Sequence, residues 1–260
     1  MARQPDGPPP PPVVQRVRLR YAKRGRLRFT SHRDIARAFE RALRRARVPM
    51  AYSAGFNPHP KVSWLGASPT GVASEAEYVE LALAERVEPG ALLAALDAAL
   101  PPGVDIVEVV EAAPGSLAER IDTSSWRIEL PGVPVEGLRA AVAAFLSAPE
   151  VPVERLTKNG RRTLDAREPV VHAEVRTDDI GEFGTESAET CAILELVVRH
   201  VTPAVRPDDV LTGLRVVADL VPPVPPRATR LAQGALSAEG RLADPLAADR
   251  DRDVTGVPPS

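Results

Sequence analysis

VVQRVRLRYAKRGRLRFTSHRDIARAFERALRRARV (Val13–Val48) decides the fold, because its period changes halfway along. Val13, Gln15, Val17, Leu19 and Tyr21 alternate with Val14, Arg16, Arg18 and Arg20, the period-2 pattern of a strand with one basic face. From Ser31 the period becomes that of a helix. Ser31 reads as the N-cap, with Asp34 three residues on in a capping-box-like arrangement. Ile35, Ala38, Phe39, Ala42, Leu43 and Ala46 form the stripe that such a helix buries. Arg33, Arg37, Arg41 and Arg45 recur every four residues and must line its exposed face. Like charges at that spacing repel by about 0.2–0.5 kcal/mol per pair, a repulsion that an anion on this face would relieve.

Outward from this unit the alternation of elements continues. VPMAYSA reads as a second strand, and GFNPHPKVSWLGASPTG is too rich in Pro and Gly for regular structure. AEYVELALAE alternates as a strand, EPGALLAALDAALP reads as a helix and VDIVEVVEA as a closing strand. The order is βαββαβ, the ferredoxin-like unit. A weaker copy follows. WRIELPG is a strand, PVEGLRAAVAAFLSA a helix, and VPVERLTKNGRRTLDAR a strand or hairpin turning at Asn159-Gly160. VVHAEVR and CAILELVVRH are strands separated by an acidic loop (177–190), RPDDVLTGL is a short helix and ATRLAQG a last short strand. The expected fold is therefore α+β, with two tandem ferredoxin-like βαββαβ units at 14–113 and 122–234. A disordered Pro-rich leader (1–13) is expected before them and a disordered tail (235–260) after.

Charge is distributed unevenly. Between Gln15 and Val62 stand fourteen basic residues, opposed only by Asp34 and Glu40. A chain of net charge −2 thus holds a patch of about +12 on a remainder of about −14. Such asymmetry is the footprint of a polyanion ligand or an acidic partner surface. With 260 residues, 44% of them hydrophobic, the chain can bury a sizeable core. It has no run of about 18 apolar residues to span a membrane, and MARQPDGPPPPPVV lacks the apolar stretch of a secretory signal. A lone cysteine, Cys191, fits a cytoplasmic location. It excludes an internal disulfide, an iron–sulfur cluster held by this chain's cysteines, and a cysteine-built zinc site. No G-x-S-x-G, Walker A, G-x-G-x-x-G or C-x-x-C motif occurs.

The candidate site residues cluster around the arginine helix. In GFNPHPK (Gly55–Lys61) two prolines flank His59 and restrict the residues before them, holding Asn57 and His59 in defined, extended geometry. Phe56 and Trp64 could offer ring faces to a base, or else sit in the core. His32, just after the N-cap, and His59 are the candidate acid and base; either could equally be a structural histidine. Binding is expected at Arg33, Arg37, Arg41, Arg44, Arg45, Phe56, Asn57, His59, Lys61 and Trp64, with no metal. Lys158, Arg161 and Arg162, around the Asn159-Gly160 turn, form a second basic cluster that reads either as an extension of that surface or as an ordinary solvated hairpin.

The segments GRLRFTSHRD, ERALRRA, YSAGFNPHPK and PTGVASEAE together resemble the radical SAM-linked protein family, a domain of unknown function. The resemblance is specific over residues 15–112 and looser over 125–233, where KNGRRTLDAR and VRP recur. Arg33 stands where that family's motif is expected to carry an aliphatic residue. Members occur alone or fused to a radical SAM protein, so the resemblance implies a free-standing accessory protein. The 4Fe-4S cluster and S-adenosylmethionine would belong to the separate radical SAM partner, with no cofactor in this chain. Combined with the basic helix, the expectation is an accessory subunit presenting RNA (tRNA or rRNA) to that enzyme. An RNA-modifying or RNA-processing enzyme using His32 and His59, and a purely protein-binding module docking on the radical SAM partner, are the alternatives.

Overall fold

The computed structural model describes residues 11–157, 160–177 and 191–250. They form an α+β protein that divides into two compact units. The first holds the described residues up to Arg120 together with those from Asp244 onward; the second runs from Ile121 to Ala243.

In the first unit the order is β1 (Gln15–Lys23), α1 (His32–Arg45), β2 (Val62–Leu65), β3 (Ala73–Leu83), α2 (Pro89–Ala99) and β4 (Val104–Glu111). Pairing β4 to β1, β1 to β3 and β3 to β2, all antiparallel, lays the strands side by side in that order. Alternation decides what each strand buries. Val17, Leu19 and Tyr21 of β1 pack with Val79 and Leu81 of β3 against Ile35, Phe39 and Leu43 of α1 and Leu92 and Leu96 of α2. Ser31 caps α1 as expected, its Oγ accepting from the Asp34 N–H at 3.3 Å. The helix ends in a Schellman motif: the Val48 N–H donates to the Leu43 carbonyl and the Arg47 N–H to the Arg44 carbonyl. Arg47 takes the left-handed conformation, φ 53°, usually reserved there for glycine.

Two expectations for this unit need correction. The second strand is not VPMAYSA, in which only Met50 and Tyr52 form isolated bridges, to Leu83 and Pro60. It is Val62–Leu65, inside the stretch read as irregular. Pro58 and Pro60 have no N–H for a ladder, so regular pairing begins only beyond them, where Val62 and Trp64 alternate onto the core. Nor does β1 present a free basic face. Arg18 is 2% exposed and hydrogen-bonds Glu80, Asp249 and the Gly115 carbonyl. Arg16 pairs with Glu80 at 3.0 Å and Arg20 with Glu108 at 3.6 Å.

The partner of Arg18 comes from the segment expected to be a disordered tail. Asp244–Arg250 belongs to the first unit, with Leu246 and Asp249 wholly buried. The Asp249 carboxylate accepts from Arg18 Nη1 at 2.6 Å, the Ala113 N–H at 2.8 Å and Arg120 Nη1 at 2.9 Å. One aspartate and one leucine have no periodicity to read, which is why the segment was invisible to pattern.

The second unit contains β5 (Thr123–Pro131), α3 (Val135–Ser147), β6 (Pro152–Thr157), β7 (Gly160–Asp165), β8 (Val170–Thr177), β9 (Cys191–Arg199), α4 (Pro207–Ala218) and β10 (Arg227–Gly234). Its sheet runs β10, β5, β9, β8, again antiparallel throughout, while β6 and β7 pair as a separate hairpin. Helix α4 packs closely on α3: a Cβ at Gly213 would lie 2.7 Å from the Phe145 ring. The acidic 177–190 loop, apart from Thr177, lies outside the described residues.

Candidate nucleic-acid interface

Helix α1 buries one face completely and leaves the other to solvent. Ile35, Ala38, Phe39, Ala42 and Leu43 are covered, and Arg33, Arg37, Arg41, Arg44, Arg45 and Arg47 are exposed. Their neutralisation is slight. Arg37 lies 3.6 Å from Asp34 and Arg44 4.0 Å from Glu40, both as exposed pairs along the helix. Exposed pairs of this kind contribute about 0.3–0.5 kcal/mol. Arg45 reaches the Ala99 carbonyl at 3.4 Å. Among the described residues no carboxylate pairs with Arg26, Arg28, Arg33, Arg41, Arg47 or Lys61.

Beside the C-terminal half of α1 stands the loop that carries Phe56, Asn57 and His59. Its base is pinched shut: the Ser53 N–H donates to the His59 carbonyl at 2.9 Å, and the His59 N–H donates to Ser53 Oγ at 3.1 Å. Below this, the Lys61 N–H donates to the Ala51 carbonyl at 2.8 Å. The backbone therefore fixes the loop without the side chains of Asn57 or His59, both of which are exposed. Phe56, near the tip, is 72% exposed. His59, with Pro58 and Pro60, lines a small cavity of about 100 Å³ against Glu40, Leu43 and Arg44.

Trp64 is not presented with Phe56. It anchors β2 in an edge-to-face cluster with Phe39 at 5.1 Å, Tyr21 at 6.1 Å and His32 at 5.2 Å between ring centroids. His32 is thereby placed at the N-terminal end of α1, and His59 beside Leu43 and Arg44. Eleven residues of helix rise separate these neighbourhoods, roughly 16 Å. The structure does not bring the two histidines together as an acid–base pair.

Lys158 lies outside the described residues. Arg161 and Arg162 are exposed on β7 of the second unit, Arg161 pairing with Glu154 at 3.1 Å. Asp165 accepts backbone N–H groups from Val151 and Arg167 at 2.8 Å, so its role is to turn the chain.

Sequence reasoning missed one residue of this surface. Phe29 closes a 3-10 turn (Gly25–Phe29) just before α1 and is 60% exposed, with the Arg28 guanidinium 4.6 Å from its ring centroid. The signal was present in Arg-Leu-Arg-Phe, an aromatic residue between arginines and a helix cap. It also passed over a contact in the second unit: Ser124 Oγ lies 2.7 Å from His200 Nε2. Burial of the imidazole first, and the Arg230 charge second, hold His200 below its ordinary pKa, with Asp122 opposing. Ser124 is fully buried in β5, whereas His200, one residue beyond β9, is exposed, so the contact ties β5 to the end of β9.

These features define an α+β protein whose first unit carries a largely unneutralised arginine helix beside a pinned, exposed loop. Residues 16–207 match the family described as "Uncharacterized protein conserved in bacteria (DUF2344)", and the chain belongs to that family. No curated protein matches it. Among the described residues no helix is long and apolar enough to cross a membrane.

Proposed function

We propose that this chain binds RNA through the exposed face of α1 and acts in the cytoplasm as an accessory, substrate-presenting protein for a separate radical SAM enzyme. The observation that carries the RNA half is the sorting of charge. The arginines of β1 are neutralised within the first unit, whereas Arg33 and Arg41, with Arg26, Arg28, Arg47 and Lys61 around them, have no carboxylate among the described residues. A surface that keeps its positive charge unpaired is suited to phosphates. The radical SAM half rests on the sequence resemblance, and the cluster and S-adenosylmethionine would reside in the partner. The pinned Asn57–His59 loop would contact either a base or the partner's active site. We also read both units as ferredoxin-like. Each alternates βαββαβ with its last strand beside its first and its third beside its second, the second unit carrying the β6–β7 hairpin as an insertion.

The test is RNA binding by the full chain across a salt series, against an Arg33→Glu/Arg37→Glu/Arg41→Glu variant. Neutralising single-strand phosphates gives a slope of about −0.7 per contact in log affinity against log salt. The variant should bind weakly with a flatter slope and an unchanged melting temperature. Binding that ignores salt, or is unaffected by the three reversals, refutes the reading. Co-purification with the radical SAM protein, and a change in its product yield on adding this chain, test the accessory role separately.

A further inference from the structure

We propose that the surface around α1 takes unpaired nucleotides, with Phe29 and Phe56 each stacking a base at one end of the helix. This rests on the RNA-binding reading and narrows it to single strands. Phe29 and Phe56 are the most exposed aromatic rings among the described residues, at 60% and 72%. Neither is an incidental surface residue. Phe29 closes the turn leading into Ser31, with the Arg28 guanidinium over one face of its ring and the other face left for a base. Phe56 stands on a loop whose base is closed by hydrogen bonds between His59 and Ser53, so the chain holds its ring out without core contacts.

Between these two positions runs α1, fourteen residues or about 21 Å of helix, with Arg33, Arg37 and Arg41 on its outer face. A basic track flanked by two open aromatic rings is the combination that single-strand binding uses. Phosphates follow the charge, and bases stack on the rings regardless of sequence, because every base has a π-face. A duplex offers these rings little, since its bases are already stacked on each other and hidden within the helix. The length of the track suits on the order of four nucleotides, the lower end of the range for single-strand modules. Charge complementarity and the two rings together select single-stranded RNA over an acidic protein, which would match the arginines and leave the rings without a planar partner.

The test uses the full chain with a fluorescein-labelled oligouridine of about ten nucleotides and an RNA duplex of the same length, read by fluorescence polarisation. Phe29→Ala and Phe56→Ala should each weaken oligouridine binding by about tenfold, within the range that loss of one stacked base gives. The salt slope should be unchanged, whereas Arg37→Glu should reduce it by about 0.7. Duplex binding should be weaker from the start and indifferent to both phenylalanines. Because both rings are exposed, thermal melts of the variants should overlay that of the parent. Salt-dependent binding that is unmoved by the phenylalanine changes, or as tight for duplex as for single strand, overturns the stacking proposal and leaves RNA binding standing. Loss of all RNA binding, in the parent as well, overturns both and gives the surface to an acidic protein.

Discussion

Replacing Asp249 by alanine should destabilise the first unit selectively. The substitution removes an acceptor from Arg18, Arg120 and the Ala113 N–H at once. Breaking a buried pair by removing one partner typically costs about 3–5 kcal/mol, because the surviving charge stays buried. Here the lower end applies. Arg18 keeps Glu80 on its Nε at 3.0 Å, and Arg120 is less buried and also bonds the Pro245 carbonyl. The expected loss is about 3 kcal/mol, or roughly 10–12 °C in the melting temperature of a unit of this size. The chain supplies its own reporters, since its two tryptophans, Trp64 and Trp126, fall one in each unit. Urea unfolding in a Trp126→Phe background follows the first unit alone, and a Trp64→Phe background follows the second. The Trp64 midpoint should fall with an unchanged slope on denaturant, and the Trp126 midpoint should hold. Arg18→Met combined with Asp249→Leu should recover much of the loss, since apolar replacement of a buried ion pair is often neutral or stabilising. A Trp64 transition moved by less than about 1 kcal/mol would falsify the view that this segment closes the first unit.

Other perturbations read the remaining physics. Arg47→Gly should stabilise the chain by about 1 kcal/mol by relieving a left-handed residue with a side chain, while lowering RNA affinity and flattening its salt slope by up to about 0.7; a destabilised variant contradicts this. Gly234→Ala places a Cβ 1.9 Å from the Ala243 carbonyl oxygen, backbone that cannot step aside, and should destabilise the second unit by about 3 kcal/mol or more in calorimetry. Asp244 titrates below its ordinary value of 3.8: burial opposes the charge, but the Arg250 hydrogen bond, the Leu246 N–H and the Arg250 and Arg20 charges outweigh it. Its folded pKa is thus the lower one, so its contribution is full above the unfolded value and lost as pH falls through the folded one. The first unit's stability should therefore decline below about pH 4 more steeply in the parent than in Asp244→Asn. His59→Ala and Asn57→Ala should reduce cellular function while shifting stability by less than about 1 kcal/mol, since backbone groups and Ser53 close their loop.

The elements that repeat were legible in the sequence, and the elements held by single contacts were not. Helix α1 was readable to its cap because Ser31, Asp34 and the Ile35–Phe39–Leu43 stripe are local and periodic. Strand β2 was obscured by the prolines before it, although Val62 and Trp64 already alternate. Trp64 illustrates the limit for sites. Eight residues after Phe56 it looks equally available, yet β2 turns Trp64 onto Tyr21 and Phe39 while Phe56 stays exposed. Phe29 shows the converse: no periodicity marks it, and the short turn before α1 holds its ring outward. Asp249 could not have been found at all by pattern, because its partner Arg18 lies 231 residues away.

That distant pairing also bears on function. An arginine-rich chain scatters arginines for reasons unrelated to binding, and folding then places carboxylates beside those it must cover. On β1 this has happened to each in turn: Arg16 and Arg18 share Glu80, Arg18 also takes Asp249, and Arg20 takes Glu108. Arg24, next in line, takes both Glu75 and Asp105. The remainder of the chain is strongly acidic, so carboxylates were not scarce. Yet α1 offers its arginines only Asp34 and Glu40, both exposed and at the limit of contact. It also retains an arginine at Arg47 in a conformation that glycine would adopt with less strain. Repulsion along the helix and strain at its end both act against stability, and both disappear with ordinary substitutions. An unneutralised face of this kind, beside a loop closed by its backbone and Ser53, fits the phosphate-binding role proposed above, in which an anion would relieve the repulsion.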